Sequence, residues 1–268
     1  MSHTLKKLID TTIGTPLCAI AGIFVRKGYN GNAPKQILLV KLWAIGDTIT
    51  MLPLAKALRL RYPDAKIDMI CRHQNWEIAK SSGLFDNVVL FEASEIMDLV
   101  SRFWYYDLVF DGEPFLRLSA LLSLWMGKAR VGFDHDIRRM TYNITSQHQR
   151  NRHMVENYLA MAQRFGIVGP SIKQLVPLEV RKQDAELVQG LLSQAGISND
   201  DFLVVMAPNV GAEGKTRLWS PQKWAALAEH LYRTYDAKIV FTGVKSDKEY
   251  VKQTMAGQKI PYLDLCGE

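Results

Sequence analysis

The chain has 268 residues, enough for two domains of common size or one large one, and its 48% hydrophobic and 22% charged residues suit a globular protein with a real core. A net charge of +6 favours an anionic partner, which could be nucleic acid, a membrane surface or a phosphorylated substrate. Cys18, Cys71 and Cys266 lie far apart with no CxxC pair, which argues against a disulfide framework or structural zinc site and for a reducing compartment.

The first predicted element lies in "LKKLIDTTIGTPLCAIAGIFVRK", residues 5–27. Ala19-Ile20-Ala21 resembles a signal-peptide cleavage pattern, but Asp10, three threonines and Pro16 interrupt the apolar region. The clean apolar part, Pro16 to Val25, has ten residues and is too short to span a bilayer. Leu5, Leu8, Ile9, Ile13, Leu17, Ile20 and Phe24 follow helical spacing, with Lys6, Lys7, Arg26 and Lys27 at the ends. Residues 1–33 are therefore expected to form an amphipathic segment. It could lie on an anionic membrane face or dock on the protein's own core, and Pro16 should kink or split it.

From residue 37 short apolar runs alternate with helical periodicity. Strands are expected at 37–41, 66–71, 87–91, 107–111 and 129–133, with helices at 47–61, 75–81, 94–103 and 115–126 between them. Pro53 would fall in an early turn of the helix at 47–61. Such alternation indicates a doubly wound parallel sheet. Helices are expected at 151–166 and 183–195, and Gly196 with the polar run after it marks a domain boundary. The rhythm then restarts with strands at 202–207, 238–243 and 262–266 and helices at 221–234 and 247–255. The expected domains are 34–196 and 197–268, the second so short that the chain is expected to be a fragment or to have lost its C-terminal part.

"KLWAIGDTIT" (41–50) places Gly46-Asp47 at the C-terminal end of the first strand, where open α/β sheets hold ligands. Neither the GxGxxG fingerprint nor the full GxxxxGK[ST] phosphate-loop pattern is present. Asp47 could cap the following helix, or hold a carboxylate at the edge of a site.

Neighbouring segments bear on that choice. "ILLVKLWAIGDTITMLPLAKALRLRYPDAKIDMIC", "YYDLVFDGEPFLRLSALLSLWMGKARVGFD", "HMVENYLAMAQRFGI", "VVMAPNVGAEGKTRLWSPQKWAALAEHL", "KIVFTGVKSDKEY" and "DLCGE" resemble, in order, segments of glycosyltransferase family 9, the ADP-heptose:lipopolysaccharide heptosyltransferases. The resemblance spans residues 37–268. It implies a GT-B fold, with two Rossmann-like domains facing across a cleft, the N-terminal one for the acceptor and the C-terminal one for a nucleotide-sugar. It also implies inversion at the anomeric carbon with no metal or cofactor. Asp47 matches the family's proposed base, and Gly46 would give the turn room to aim it.

For the donor the resemblance implies Asn209, Gly211, Lys215, Thr216, Arg217, Gly243 and Asp247. Gly211 would allow close backbone approach, while Lys215 and Arg217 would meet the diphosphate. Arg217 stands where the family commonly has lysine, so Lys215 could share its role. Asp247 could equally cap a helix. For an anionic glycolipid or lipopolysaccharide acceptor it implies Gly46, Asp111, Arg130, Arg138 and Arg139, although a charge run can also be a solvated face. His153 and Glu156 are expected to be structural, and His73 lacks companion metal ligands. The family's Asp-(Ser/Thr)-Gly-x-x-His segment would follow "DLCGE" and is missing. The expected setting is the cytoplasmic face of the inner membrane, with no nucleic-acid partner. The alternative is a non-catalytic binding or scaffold protein derived from the same fold.

Overall fold

The computed structural model describes residues 3–25, 28–29, 31–167, 175–210 and 216–268, the side chains of 3–7 and 9 excepted. The chain folds into two units, Met1–Glu179 and Val180–Glu268.

In the first unit six strands form a parallel sheet: β1 Gln36–Val40, β2 Lys66–Cys71, β3 Asn87–Leu90, β4 Tyr106–Asp111, β5 Gly127–Phe133 and β6 Ile144–Ser146. Their order, β3-β2-β1-β4-β5-β6, is that of the dinucleotide-binding folds. It reverses between β1 and β4, which pair in register from Ile37↔Leu108 to Val40↔Asp111. The "ILLV" run of β1 is buried on both faces. Ile37 and Leu39 join a core with Leu54 and Leu58 of helix α2 (Ile45–Arg61) and Tyr158 of α6 (Met154–Ala162). Leu38 and Val40 face the opposite core, with Leu99 of α4 (Ile96–Ser101) and Met126 of α5 (Arg117–Met126). Helix α3 spans His73–Ser81. The short strand β6 is not among the expected elements; three residues with one apolar side chain carry no readable alternation.

Helix α1, His3–Ile23, runs unbroken through Pro16. The expected split does not occur, because one lost backbone hydrogen bond is offset where the helix docks. Asp10 accepts from the amides of Arg117 (3.1 Å) and Leu118 (2.8 Å), the first two residues of α5. The residue before α5, Leu116, offers no capping side chain, so α1 supplies that cap from afar. Close approach follows down the same face. A Cβ on Gly14 would lie 2.7 Å from Cβ of Arg117, and one on Gly22 would lie 2.4 Å from Cβ of Met140. Cys18 between them is fully buried, and its burial pushes the thiol up to about 11. The helix thus docks by its small and polar face. Ile13, Leu17, Ile20, Ile23 and Phe24 remain exposed, Phe24 to 81%. Among the described residues no helix is long and apolar enough to cross a membrane.

The second unit holds α7 Lys182–Gln194, β7 Leu203–Met206, α8 Pro221–Tyr235, β8 Lys238–Phe241, α9 Lys248–Met255 and β9 Tyr262–Asp264, its strands parallel in the order β7-β8-β9. Met206, Ile239, Phe241, Val251 and Met255 form its core. The boundary expected after residue 196 falls instead between 179 and 180. Gly196, at φ +71°, does end α7, with the Ile197 amide reaching back to the Leu192 carbonyl. It marks the end of a helix inside the second unit, which is a weaker signal than a domain boundary.

Asp10→Ala should lower unfolding stability by about 1–2 kcal/mol in urea titrations, and Asp10→Asn, which keeps an acceptor, by less. Equal stability of all three proteins would mean that α1 does not cap α5.

Candidate active site

At the switch point the chain leaves β1 through Lys41, Leu42 and Trp43. The Glu113 carboxylate, 5% exposed, receives this loop: Oε1 accepts from the amides of Leu42 (2.8 Å) and Trp43 (2.9 Å). The same oxygen lies 3.1 Å from Nζ of Lys41, which is 1% exposed. One buried acid therefore satisfies two backbone donors and an ammonium that would otherwise lose its hydration uncompensated. Ala44 then turns the chain at φ +67°, a region disfavoured for a residue with a side chain. Helix α2 starts at Ile45 with no side-chain cap.

Asp47 sits in the first turn of α2, and its side chain is 46% exposed, with Oδ2 3.5 Å from Nζ of Lys41. Its carboxylate is not the helix cap, because the cap position is Ala44. Gly46 does not make the turn, a correction to its expected role: it is helical, and Ala44 carries the positive φ. A Cβ on Gly46 would meet no atom within 4 Å, so the space in front of the helix start is open.

Behind this edge, Gly112 crosses close to β1. A Cβ there would lie 2.6 Å from Sδ of Met51 and 3.2 Å from the Val40 carbonyl, so a larger residue would have to displace the Met51 side chain and crowd β1. The Tyr158 hydroxyl donates to the Gly112 carbonyl at 3.2 Å, and burial raises its pKa. The His148 ring packs edge-on against Phe115 and Phe133, and burial, aided by Arg150, holds its pKa below 6.5.

Three residues expected to face an acceptor are structural. Asp111, fully buried, accepts from Arg138 (3.0 Å), Tyr142 (2.6 Å), Ser119 (2.9 Å) and the Glu113 amide (3.0 Å). Arg138 is also fully buried, and donates to the Glu113 carbonyl at 2.5 Å. Arg130 is 4% exposed and donates to the carbonyls of Thr141 (2.8 Å) and Gly127 (2.7 Å). The turn at Ile137–Thr141 packs against β5 and supplies a carbonyl that draws Arg130 inward. Of the three expected arginines, Arg139 alone is exposed, at 66% of its side chain, and it lines a pocket of about 300 Å³ with Asp134, His135 and Asp136.

In the second unit the ends of β7 and β8 bring Asn209, Gly243 and Asp247 together. Asp247 accepts from Asn209 Nδ2 at 2.6 Å and from the Val244 amide at 3.0 Å, so both of its oxygens clasp the two loops. A Cβ on Gly243 would lie 2.5 Å from Asp247 Oδ2. That geometry is the turn-stabilising alternative for Asp247. Thr216 and Arg217 are exposed. Gly211 and Lys215 lie outside the described residues. Among the described residues no group of three or more His, Cys, Asp or Glu side chains could hold a metal ion.

Lys41, Glu113, Tyr158 and His148 do not stand out in the sequence. A lysine just after a strand reads as a solvated end, and nothing in "FDGEPF" marks Glu113 as buried. The strand-end positions of 41 and 113, adjacent in a 3-2-1-4 sheet, were the available signal.

The fold is shared with solved structures. A glycosyl transferase family 9 protein from Veillonella parvula DSM 2008 matches with a TM-score of 0.73 and 20% identity, over 87% of this chain and 69% of that one. The E. coli ADP-heptose lps heptosyltransferase II matches with a TM-score of 0.66 and 20% identity, over 87% and 72% of the two chains. E. coli heptosyltransferase WaaC with ADP matches at 0.61 and 18%, over 86% and 75%. These likenesses define the fold as that of the GT-B glycosyltransferases. The sequence model described as glycosyltransferase family 9 (heptosyltransferase) matches residues 103–268, and the chain belongs to that family. No curated protein matches it by sequence.

Proposed function

We propose that this glycosyltransferase moves a sugar, heptose from ADP-heptose, onto an anionic glycolipid of the lipopolysaccharide-core type, with inversion at the anomeric carbon. The observation that carries the reading is the half-exposed Asp47 carboxylate, beside buried Lys41 at the sheet's switch point. The donor assignment draws on solved relatives described as an ADP-heptose heptosyltransferase and a heptosyltransferase with ADP. In the reaction the acceptor hydroxyl oxygen bonds to the anomeric carbon as the bond from that carbon to the diphosphate oxygen breaks. The proton passes to Asp47, and the nucleoside diphosphate leaves with the electron pair. Base assistance of this kind contributes about 10²–10⁴-fold. Lys215 and Arg217 meet the diphosphate charge, with Asn209, Gly211, Thr216 and Gly243 shaping the donor loops and Asp247 holding them. Arg139 meets an anionic group of the acceptor.

The exposed face of α1, from Ile13 to Phe24, rests on the cytoplasmic face of the inner membrane. Basic residues flank it in sequence at Lys6, Lys7, Arg26 and Lys27, which suits anionic headgroups.

Asp47→Asn should slow sugar transfer from ADP-heptose by about 10²-fold or more with little change in melting temperature. Transfer by that variant at near the wild-type rate would exclude Asp47 as the base. Separately, Ile20→Glu/Phe24→Glu should abolish sedimentation with phosphatidylglycerol vesicles while leaving the melting temperature unchanged. Equal sedimentation of the double variant would exclude α1 as the membrane-facing element.

A further inference from the structure

One cavity of the first unit lies beside the catalytic edge. It is an apolar groove of about 330 Å³ between α1, α5 and the ends of β1 to β3. Ile13 and Leu17 of α1 form one wall, Leu121 of α5 contributes to another, and Leu42, Trp43 and Phe91 close it at the strand ends. Two charged residues line it. The Asp10 carboxylate is committed to the amides of Arg117 and Leu118. Arg72 lies with its guanidinium 4.7 Å from the centre of the Trp43 ring, which leaves its positive charge in the groove.

We propose that this groove binds the hydrocarbon chain of an anionic lipid, the lipid part of the acceptor; this rests on the glycolipid reading given above. Three observations select that occupant. First, the walls are aliphatic and aromatic, suiting a chain without hydrogen-bonding groups. Second, Arg72 supplies charge complementary to a phosphate or carboxylate at the head of the chain. Third, the groove shares a loop with the site: Leu42 and Trp43, which line it, are the residues whose amides Glu113 holds, and the backbone runs from them through Ala44 to Asp47. A chain seated there brings its headgroup to the β1–α2 loop. Ile13 and Leu17 belong both to the groove and to the exposed face of α1, so a chain can enter from a bilayer on which that face rests.

The probe is dodecyl phosphate below its micelle concentration, titrated calorimetrically into the full chain, with octyl phosphate and inorganic phosphate beside it. Burial of each methylene is worth about fourfold in affinity, so dodecyl phosphate, with four more methylenes, should bind about 200-fold tighter than octyl phosphate if all are buried and at least about tenfold tighter if half are, and inorganic phosphate far more weakly. Leu17→Trp and Leu118→Trp fill the groove from positions exposed to 47% and 43%, where folding tolerates the change. Each should weaken dodecyl phosphate by about tenfold or more, and Arg72→Gln should weaken it while preserving the preference for the longer chain. Leu187→Glu, exposed on α7 of the second unit and outside the groove, should bind as wild type does. Unchanged affinity in both tryptophan variants, or equal affinity for dodecyl and inorganic phosphate, would overturn the proposal. A sugar-transfer assay separates it from the acceptor reading. Failure of the wild type to glycosylate either an acylated or a deacylated acceptor would refute the glycolipid reading, and the dodecyl phosphate titration would still decide the groove.

Discussion

The Glu113 carboxylate joins the two central loops of the first unit. It reaches from the end of β4 to the end of β1 and holds the Leu42 and Trp43 amides together with the Lys41 ammonium. Such a buried acid is tolerable only when its oxygens are met by donors, and here the donors are the loop that leads to Asp47. Lys41 in turn is the bridge. It lies between the buried carboxylate at 3.1 Å and the half-exposed one at 3.5 Å. The charge at the surface is therefore positioned by a charge that water does not reach. Ala44 adopts a positive φ in this stretch, and a backbone strain of about 1–3 kcal/mol is stable only where neighbouring contacts fix the chain on both sides.

A second buried polar network supports the first. Asp111, one strand over from Val40, gathers Arg138, Tyr142 and Ser119, while Arg138 also holds the carbonyl of Glu113. Burial and the neighbouring Asp111 carboxylate push the Tyr142 hydroxyl well above its ordinary pKa, so it stays a donor. Removing one member of such a pair leaves a charge in the interior without compensation, at a cost of about 3–5 kcal/mol. The segment 130–142 is thereby tied to the loop that carries Glu113. Its arginines shape the site from within, and Arg139 is left to face outward.

Most of the fold was legible because the signals were periodic. "ILLV" reads as a strand buried on both faces, and the alternation of such runs with helical spacing gives the parallel sheet. The Gly-Asp pair follows β1, one of the two strands at the switch point, and strand ends there are where such sheets hold ligands. The burial of charges was not legible. Arg130, Arg138 and Arg139 look alike in a run of basic residues, and only the packing of the 137–141 turn against β5 separates them. Helix α1 shows the same limit. Its apolar spacing was visible, but Asp10 read as an interruption, when it is the group that fastens the helix to α5. The sequence suggests Gly46 for the turn that Ala44 makes, because a positive φ is expected at glycine first.

The most direct test of the coupling between buried and exposed charge is a double-mutant cycle on the rate of sugar transfer. If Glu113 acts through Lys41 on Asp47, Glu113→Gln should slow the wild type by about tenfold or more, yet have almost no further effect once Asp47 is asparagine. Losses that multiply, with Glu113→Gln as harmful in the Asp47→Asn background as in the wild type, would contradict that coupling.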